Sequence, residues 1–280
     1  MPLESRGQKS KLQLALTVAT PGALPSAFVV YREPLATGLP KIAAMGYDGV
    51  ELALLDRSQV DMAELRTLLD STGLSVPMVS TGQIFAAGRS SFASADQAVR
   101  SKAEELFAGL VDVAAELGAM INVGRVRGAV EGNGDRRGVE ARVADSLRRM
   151  TELAGRSGVQ IALEPVNRYE IDFLNSCAEA VSFMERHQLD ALRLMPDIFH
   201  MNIEDPSIEG SLMRFVDRIG YVHFADSNRH FPGAGHQDFR SIISALRTAG
   251  YEGWIGAEIL PFPDPDTAAR NTIEYLRRFL

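Results

Sequence analysis

Three carboxylates and one imidazole occupy matching places in this chain. Glu164 closes the run VQIALE, Asp197 closes LRLMPD, His223 lies in YVHFAD and Glu258 follows WIGA. The intervals are 33, 26 and 35 residues, each about one strand, one helix and two loops. Such a set suits one hard divalent cation: Mn²⁺ first, Mg²⁺ or Co²⁺ also, and Zn²⁺ less well, because the set has one histidine and no thiolate. A carbonyl compound held on such a cation by its carbonyl and a neighbouring hydroxyl would have its adjacent C–H acidified, since the cation stabilises the enediolate that forms. One carboxylate can then take the proton and another, on the opposite side, can return one, which inverts the carbon. Taken singly, each residue has a plainer explanation. An acid after a strand can cap the next helix or pair with an arginine, and a histidine there can be a structural hydrogen-bonder. Packing alone does not require all four at successive strand ends.

The loops after these runs carry more polar groups. Glu170 in PVNRYE, His200 in IFHMNIED and Arg229 in ADSNRHFPGAGHQDF could reach a polyhydroxy substrate, and Pro232, Gly233 and Gly235 allow tight turns. Their plainer roles are a surface salt bridge, a core hydrogen bond and a solvated charge. Arg125 and Arg127 follow the fourth apolar run, and Arg136 and Arg137 lie in EGNGDRRG. Any of them could meet a substrate carboxylate or phosphate. EGNGDRRG itself fits neither a P-loop nor a dinucleotide fingerprint.

The elements that must position these residues are short apolar runs alternating with helical periodicity. Eight strands are expected: LQLALTV (12–18), GVELAL (49–54), SVPMVST (75–81), AMINVG (119–124), VQIALE (159–164), LRLMPD (192–197), YVHFAD (221–226) and WIGAEI (254–259). Between them, stretches such as 100–117 repeat Ala103, Leu106, Leu110, Val113 and Leu117 at helical spacing. Eight units in 280 residues predict a closed (β/α)8 TIM barrel, in which the carboxyl ends of all strands open on one face. An open doubly wound sheet is the rival. It would carry a glycine-rich nucleotide turn after its first strand, and VATPGALPS has none. Residues 1–11 read as a disordered tail and 12–280 as one catalytic domain.

Composition narrows the function. The net charge of -7, from 36 acidic and 29 basic residues, disfavours binding to nucleic acid. No apolar run is long enough to cross a membrane. The single cysteine, Cys177, fits a reducing compartment and a cytoplasmic protein. Lys9 and Lys11 before LQLALTV faintly suggest a secretory signal, but the apolar run is short and alternates as a first barrel strand should.

ALEPVNRYE, PDIFHMNIED, VHFADSNRHFPGAGHQDF and GAEILP resemble the metal and substrate motifs of the sugar isomerase/epimerase family with a xylose isomerase-like barrel. The likeness is close to its ketose 3-epimerases, including the tagatose, psicose and 5-keto-L-gluconate epimerases. GYDGVEL, TGQIFAAG and VGRVRG resemble the keto-acid branch. The resemblance implies metal ligation by Glu164, Asp197, His223 and Glu258, with Glu164 and Glu258 also serving as the acid/base pair. It implies substrate contacts from Glu170, His200 and Arg229, to which Gln83 and Arg127 are added from the keto-acid motifs. The expected activity is inversion of C3 of a ketose or keto-uronate by a homo-oligomer, dimer or tetramer. Aldose–ketose isomerisation on the same metal is the nearest alternative. An endonuclease acting on abasic DNA would need a multinuclear cluster and a basic face, and a sugar-binding protein would not need two flanking glutamates. Pro196 and Ile198 replace the small residue and the threonine common around the family's aspartate, which bears on the support of Asp197 and not on its ligand oxygen.

Overall fold

The computed structural model describes residues 12–130 and 134–280. The expected tail and the start of EGNGDRRG lie outside the described residues. Every expected strand forms: β1 (Gln13–Ala19), then a two-residue β2 (Tyr31–Arg32), β3 (Gly49–Ala53), β4 (Ser75–Ser80), β5 (Met120–Val123), β6 (Ile161–Leu163), β7 (Arg193–Leu194), β8 (Tyr221–Phe224) and β9 (Trp254–Ala257). All pairings are parallel, in the order β7-β6-β5-β4-β3-β1-β9-β8, with β2 pairing β1 as an addition the sequence did not suggest. Two isolated bridges, Leu194 to Ile219 and Asp197 to His223, join β7 to β8, so the eight-stranded barrel is nearly closed. The seam is sparse partly because Pro196 has no N–H to donate; its carbonyl still accepts from the His223 N–H at 2.8 Å.

Helices wrap this barrel: α1 (Leu35–Met45), α2 (Met62–Thr72), α3 (Gly82–Ala86), α4 (Gln97–Leu117), α5 (Arg136–Arg156), α6 (Cys177–Arg186), α7 (Ile198–Glu204), α8 (Ile208–Phe215), α9 (Phe239–Thr248) and α10 (Pro265–Leu276). Side-chain caps start many of them, including Asp61 for α2, Asp96 for α4, Ser176 for α6 and Asp264 for α10. Along α4 the buried face runs through Ala103, Phe107, Leu110, Val111, Val113 and Ala114. The expected Leu106 and Leu117 flank it half-buried, because tertiary packing, not spacing alone, selects the stripe.

The alternation of each strand sorts its residues. Leu14, Leu16, Val50, Leu52, Val79, Ile121, Leu163, Val222 and Ile255 face the helices in the main core. Met78, Ala162, Met195 and Tyr221 form a second buried cluster with Met120 and Trp254, which fills the barrel interior. Counting two residues on from Ala162, Met195 and Tyr221 reaches Glu164, Asp197 and His223. Alternation therefore aims these three inward, above the apolar plug.

Candidate functional site

Glu164 directly follows β6, Asp197 is the N-cap of α7, His223 lies in β8 and Glu258 directly follows β9. The structure brings all four together: one donor atom from each lies within 4.8 Å of every other. His223 Nδ1 sits 3.4 Å from Glu164 Oε1, 3.9 Å from Asp197 Oδ2 and 3.9 Å from Glu258 Oε2. Asp197 Oδ2 and His223 Nδ1 are fully buried with no hydrogen-bond partner. Two orphaned polar atoms aimed at one point, beside two more carboxylates, are what a cation would satisfy. The residues present therefore fit a single divalent ion.

Asp197 carries both of the roles the sequence left open. Its Oδ1 accepts the Phe199 N–H at 2.8 Å and caps α7, while Oδ2 turns into the cluster. The other face of His223 is held by a residue the motifs did not flag. Glu51, wholly buried on β3, accepts a hydrogen bond from Nε2 at 2.8 Å, which leaves Nδ1 for the cluster. Gly256 makes that possible, since a Cβ there would come within 2.9 Å of Glu51 Oε2 and 2.5 Å of the Tyr221 hydroxyl. A lone glutamate inside the apolar run GVELAL was the available signal.

Glu164 is steadied by Asn122, whose Nδ2 lies 3.3 Å from Oε2. The Thr81 N–H donates to Asn122 Oδ1 at 2.9 Å, and because that N–H can only donate, the amide nitrogen must face the glutamate. Gly124 leaves the space, for a Cβ there would meet Glu164 Oε2 at 2.3 Å. On the other side Arg229 hydrogen-bonds Glu258 Oε2, comes within 3.4 Å of Asp197 Oδ2 and is sandwiched by Phe28 and Phe199 at 4.3 and 4.7 Å from their ring centres. Its backbone φ is +59°, held by the turn in which its N–H bonds the Asp226 carbonyl. Asp226, also unflagged, accepts from the Ser227, Gly233 and Gln237 N–H groups and so folds the long loop that carries Arg229.

Burial and crowding set the charges. Burial pushes the Asp197 carboxyl up to about 6 and the Glu258 carboxyl up to about 7, with Arg229 and His223 only partly opposing it. Burial also works against ionisation of Glu164, but His223, Arg229 and Arg127 outweigh it and hold its pKa below the usual value. For His223 burial disfavours the charged form, yet Glu51, Glu258 and Glu164 keep its pKa well above the ordinary histidine range. His200 is pushed far down by burial, with Arg229 and His223 adding to it, and is neutral. Asn167 Nδ2 also bonds Glu170 Oε1, and its Oδ1 accepts from the Tyr169 N–H. The amide thus donates to His200 Nδ1 at 2.8 Å, which leaves the proton of the imidazole on Nε2.

The expected substrate residues divide. Glu170, His200 and Arg229 line a narrow cavity of about 20 Å³ together with Glu164, Glu258, Phe28, Asn122 and Arg125. Gln83 and Arg127 do not line it. Gln83 is buried, with Oε1 accepting from the Leu24 N–H and Nε2 donating to the Ala53 carbonyl, so it ties the loop after β1 to the end of β3. Arg127 is wholly buried and gives its guanidinium hydrogens to the carbonyls of Gly124, Glu164, Phe173 and Leu174 at 2.8 to 3.0 Å. Burial lowers its pKa to about 10, opposed by Glu164. It is a backbone clamp, not an anion receptor. Arg136 and Arg137 open α5 on an exposed surface, Arg136 lying 5.6 Å from the Phe173 ring centre. A roomier groove of about 700 Å³ runs past Phe85, Arg89 and Arg142. It holds none of the four clustered ligands, so chemistry and not size locates the site.

Among known proteins, the family described as xylose isomerase-like TIM barrel matches residues 39–279. An L-ribulose 3-epimerase of Methylomonas sp. (strain DH-1) is 32% identical over 234 residues, covering 82% of this chain and 80% of the relative. A ketose 3-epimerase of Arthrobacter globiformis is 30% identical over 230 residues, covering 79% and 76%. The crystal structure of 3-keto-D-glucoside 4-epimerase from E. coli superposes with a TM-score of 0.81 at 25% identity, covering 96% of this chain and 100% of that one.

Proposed function

This chain belongs to the xylose isomerase-like TIM barrel family and is a carbohydrate epimerase or isomerase, and from that premise we propose that it inverts C3 of a ketose or keto-uronate. The observation that carries the reading is the convergence of Glu164 and Glu258 on one pocket, each beside the orphaned donors of Asp197 and His223. Glu164, Asp197, His223 and Glu258 would hold one divalent cation, Mn²⁺ first by the hardness of the donor set. Bound there, the cation supplies Lewis-acid stabilisation of the negative charge that grows on the substrate oxygens.

The chain's own residues do the rest. Glu164 turns Oε1 toward the cluster and keeps Oε2 steadied by Asn122, so one oxygen can ligate while the other exchanges a proton with the substrate carbon. Glu258, oriented by Arg229, serves the opposite face, and the direction of reaction decides which glutamate removes the proton and which returns it. Glu170, the neutral His200 and Arg229 orient the hydroxyl groups, and Phe28 and Phe199 cover the guanidinium against water.

The test is incubation of the Mn²⁺-loaded protein in D₂O with a panel of ketoses and keto-uronates, with deuterium located by NMR. Exchange at C3 is the expected outcome. Exchange at C1 or C2 instead means an aldose–ketose isomerase, and no exchange with any of them sinks the reading. We also propose a dimer or tetramer, to be checked by light scattering.

A further inference from the structure

Two arginines in one short helical turn meet opposite fates. Arg127 spends its donors on four backbone carbonyls. Arg125, two residues earlier, makes no hydrogen bond among the described residues, although its side chain is only 21% exposed. Glu170 Oε2, 3.9 Å from Nη1, is beyond hydrogen-bond reach. The guanidinium lies 5.5 Å from the centre of the Phe28 ring, the same ring that supports Arg229, and it lines the cavity that Glu164 and Glu258 share.

A guanidinium carries five donors in a rigid fork and no acceptor. Half-buried over an aromatic ring with none of them bonded, it is left to water or to an anion that enters the pocket. The other arginine there, Arg229, is already committed to Glu258. Of the two, only Arg125 has no hydrogen-bonded carboxylate, its ion pair with Glu170 being the looser one at 3.9 Å.

We propose that Arg125 is a specificity-determining residue that binds an anionic group on the substrate, at the end of the chain away from the reacting carbon, and so selects sugar acids over neutral ketoses. This rests on the reading of the pocket as a ketose epimerase site and narrows its substrate class. The fork of Arg125, which lines this pocket, pairs with a planar carboxylate through two parallel hydrogen bonds. A phosphate ester offers the same oxygen chemistry from a bulkier source.

D-fructose and D-fructuronate differ only at C6, hydroxymethyl against carboxylate, and D-fructose 6-phosphate supplies the ester. With Mn²⁺-loaded protein in D₂O, kcat/KM for C3 exchange should favour D-fructuronate over D-fructose by about tenfold or more, as a charge-assisted bidentate contact allows. In Arg125→Ala that ratio should fall to within about threefold, and Arg125→Lys should restore part of it. A ratio unchanged in Arg125→Ala, or a wild type that prefers D-fructose, overturns the assignment. Preference for D-fructose 6-phosphate, lost in the same variant, upholds the anion site and makes phosphate its ligand. If none of the three sugars exchanges, calorimetric titration with D-fructuronate decides on Arg125, and the epimerase reading fails separately only if the whole panel of ketoses and keto-uronates also gives no exchange. Binding about tenfold weaker in Arg125→Ala supports the subsite. Equal binding, or none to the wild type, overturns it.

Discussion

The mouth of the barrel has two unlike halves. From β6 to β9 every strand end contributes a charged or ionisable ligand: Glu164, Asp197, His223 and Glu258. From β1 to β5 the lining is Phe28, Ser80, Gly82, Asn122 and the single cation Arg125. The late half concentrates carboxylates that Arg229 and His223 balance only in part, and the early half shapes, orients and covers. Chemistry and recognition are thus assigned to different stretches of one chain, and substitutions in the two halves should fail in different ways.

The largest expected effect lies in the late half. Glu164→Gln and Glu258→Gln should each lower turnover by about a thousandfold or more, because each removes a proton carrier and weakens a ligand. Steady-state kinetics at saturating Mn²⁺ decide this, and near-normal turnover in both would sink the assignment. Next comes a residue of the early half whose failure should be structural. Arg127→Met leaves the Gly124, Glu164, Phe173 and Leu174 carbonyls without their donor, at a cost of about 3 kcal/mol or more. A thermal melt of the metal-free protein should show it as a drop of several degrees, whatever sugar is present.

Glu51 is the place where the division between halves could break. It sits on β3, in the early half, yet it fixes His223. Glu51→Ala should weaken Mn²⁺ binding by about 10- to 100-fold, with Glu51→Gln milder; unchanged affinity on metal titration would confine metal binding to the late half. The smallest effect is one of pH. Asp197 at about 6 and Glu258 at about 7 keep protons in the folded, metal-free protein that the unfolded chain loses near pH 4. Their raised values therefore cost stability, a cost absent below pH 4 that grows as the pH rises toward 7. A cation binds the ionised carboxylates and relieves it. Mn²⁺ should raise Tm more at pH 7.5 than at pH 5.5 and should release protons on binding; a larger shift at the lower pH would contradict this.

The two halves were also unequally legible in the sequence. Glu164, Asp197 and Glu258 interrupt an apolar run at its end, where strand alternation and barrel topology leave one destination, and the histidine of YVHFAD shares it. The eight strands were visible for the same reason. In the early half, function depends on which way a side chain turns. Arg125 and Arg127 are the same residue type in one turn, and only packing against the loop after β6 decides that one faces carbonyls and the other the pocket. Gln83, expected to touch substrate, is drawn away by two backbone groups that lie 59 and 30 residues distant. Glu51 and Asn122 did leave a trace, a polar residue within an apolar strand, but their partners are 172 and 42 residues away and no local pattern announces them.

Asp197 gives one carboxylate oxygen to the start of α7 and the other to the cluster. Asparagine could keep the cap but would bring no charge to the ion, and glutamate would keep the charge but lengthen the stem that lets both oxygens reach their targets. The position therefore tolerates no conservative exchange, and drift can pass it only by way of a less active or less stable protein. Because α7 also carries His200, a change there reaches the sugar pocket by two routes, which makes this one aspartate the narrowest point in the mutational landscape of the site.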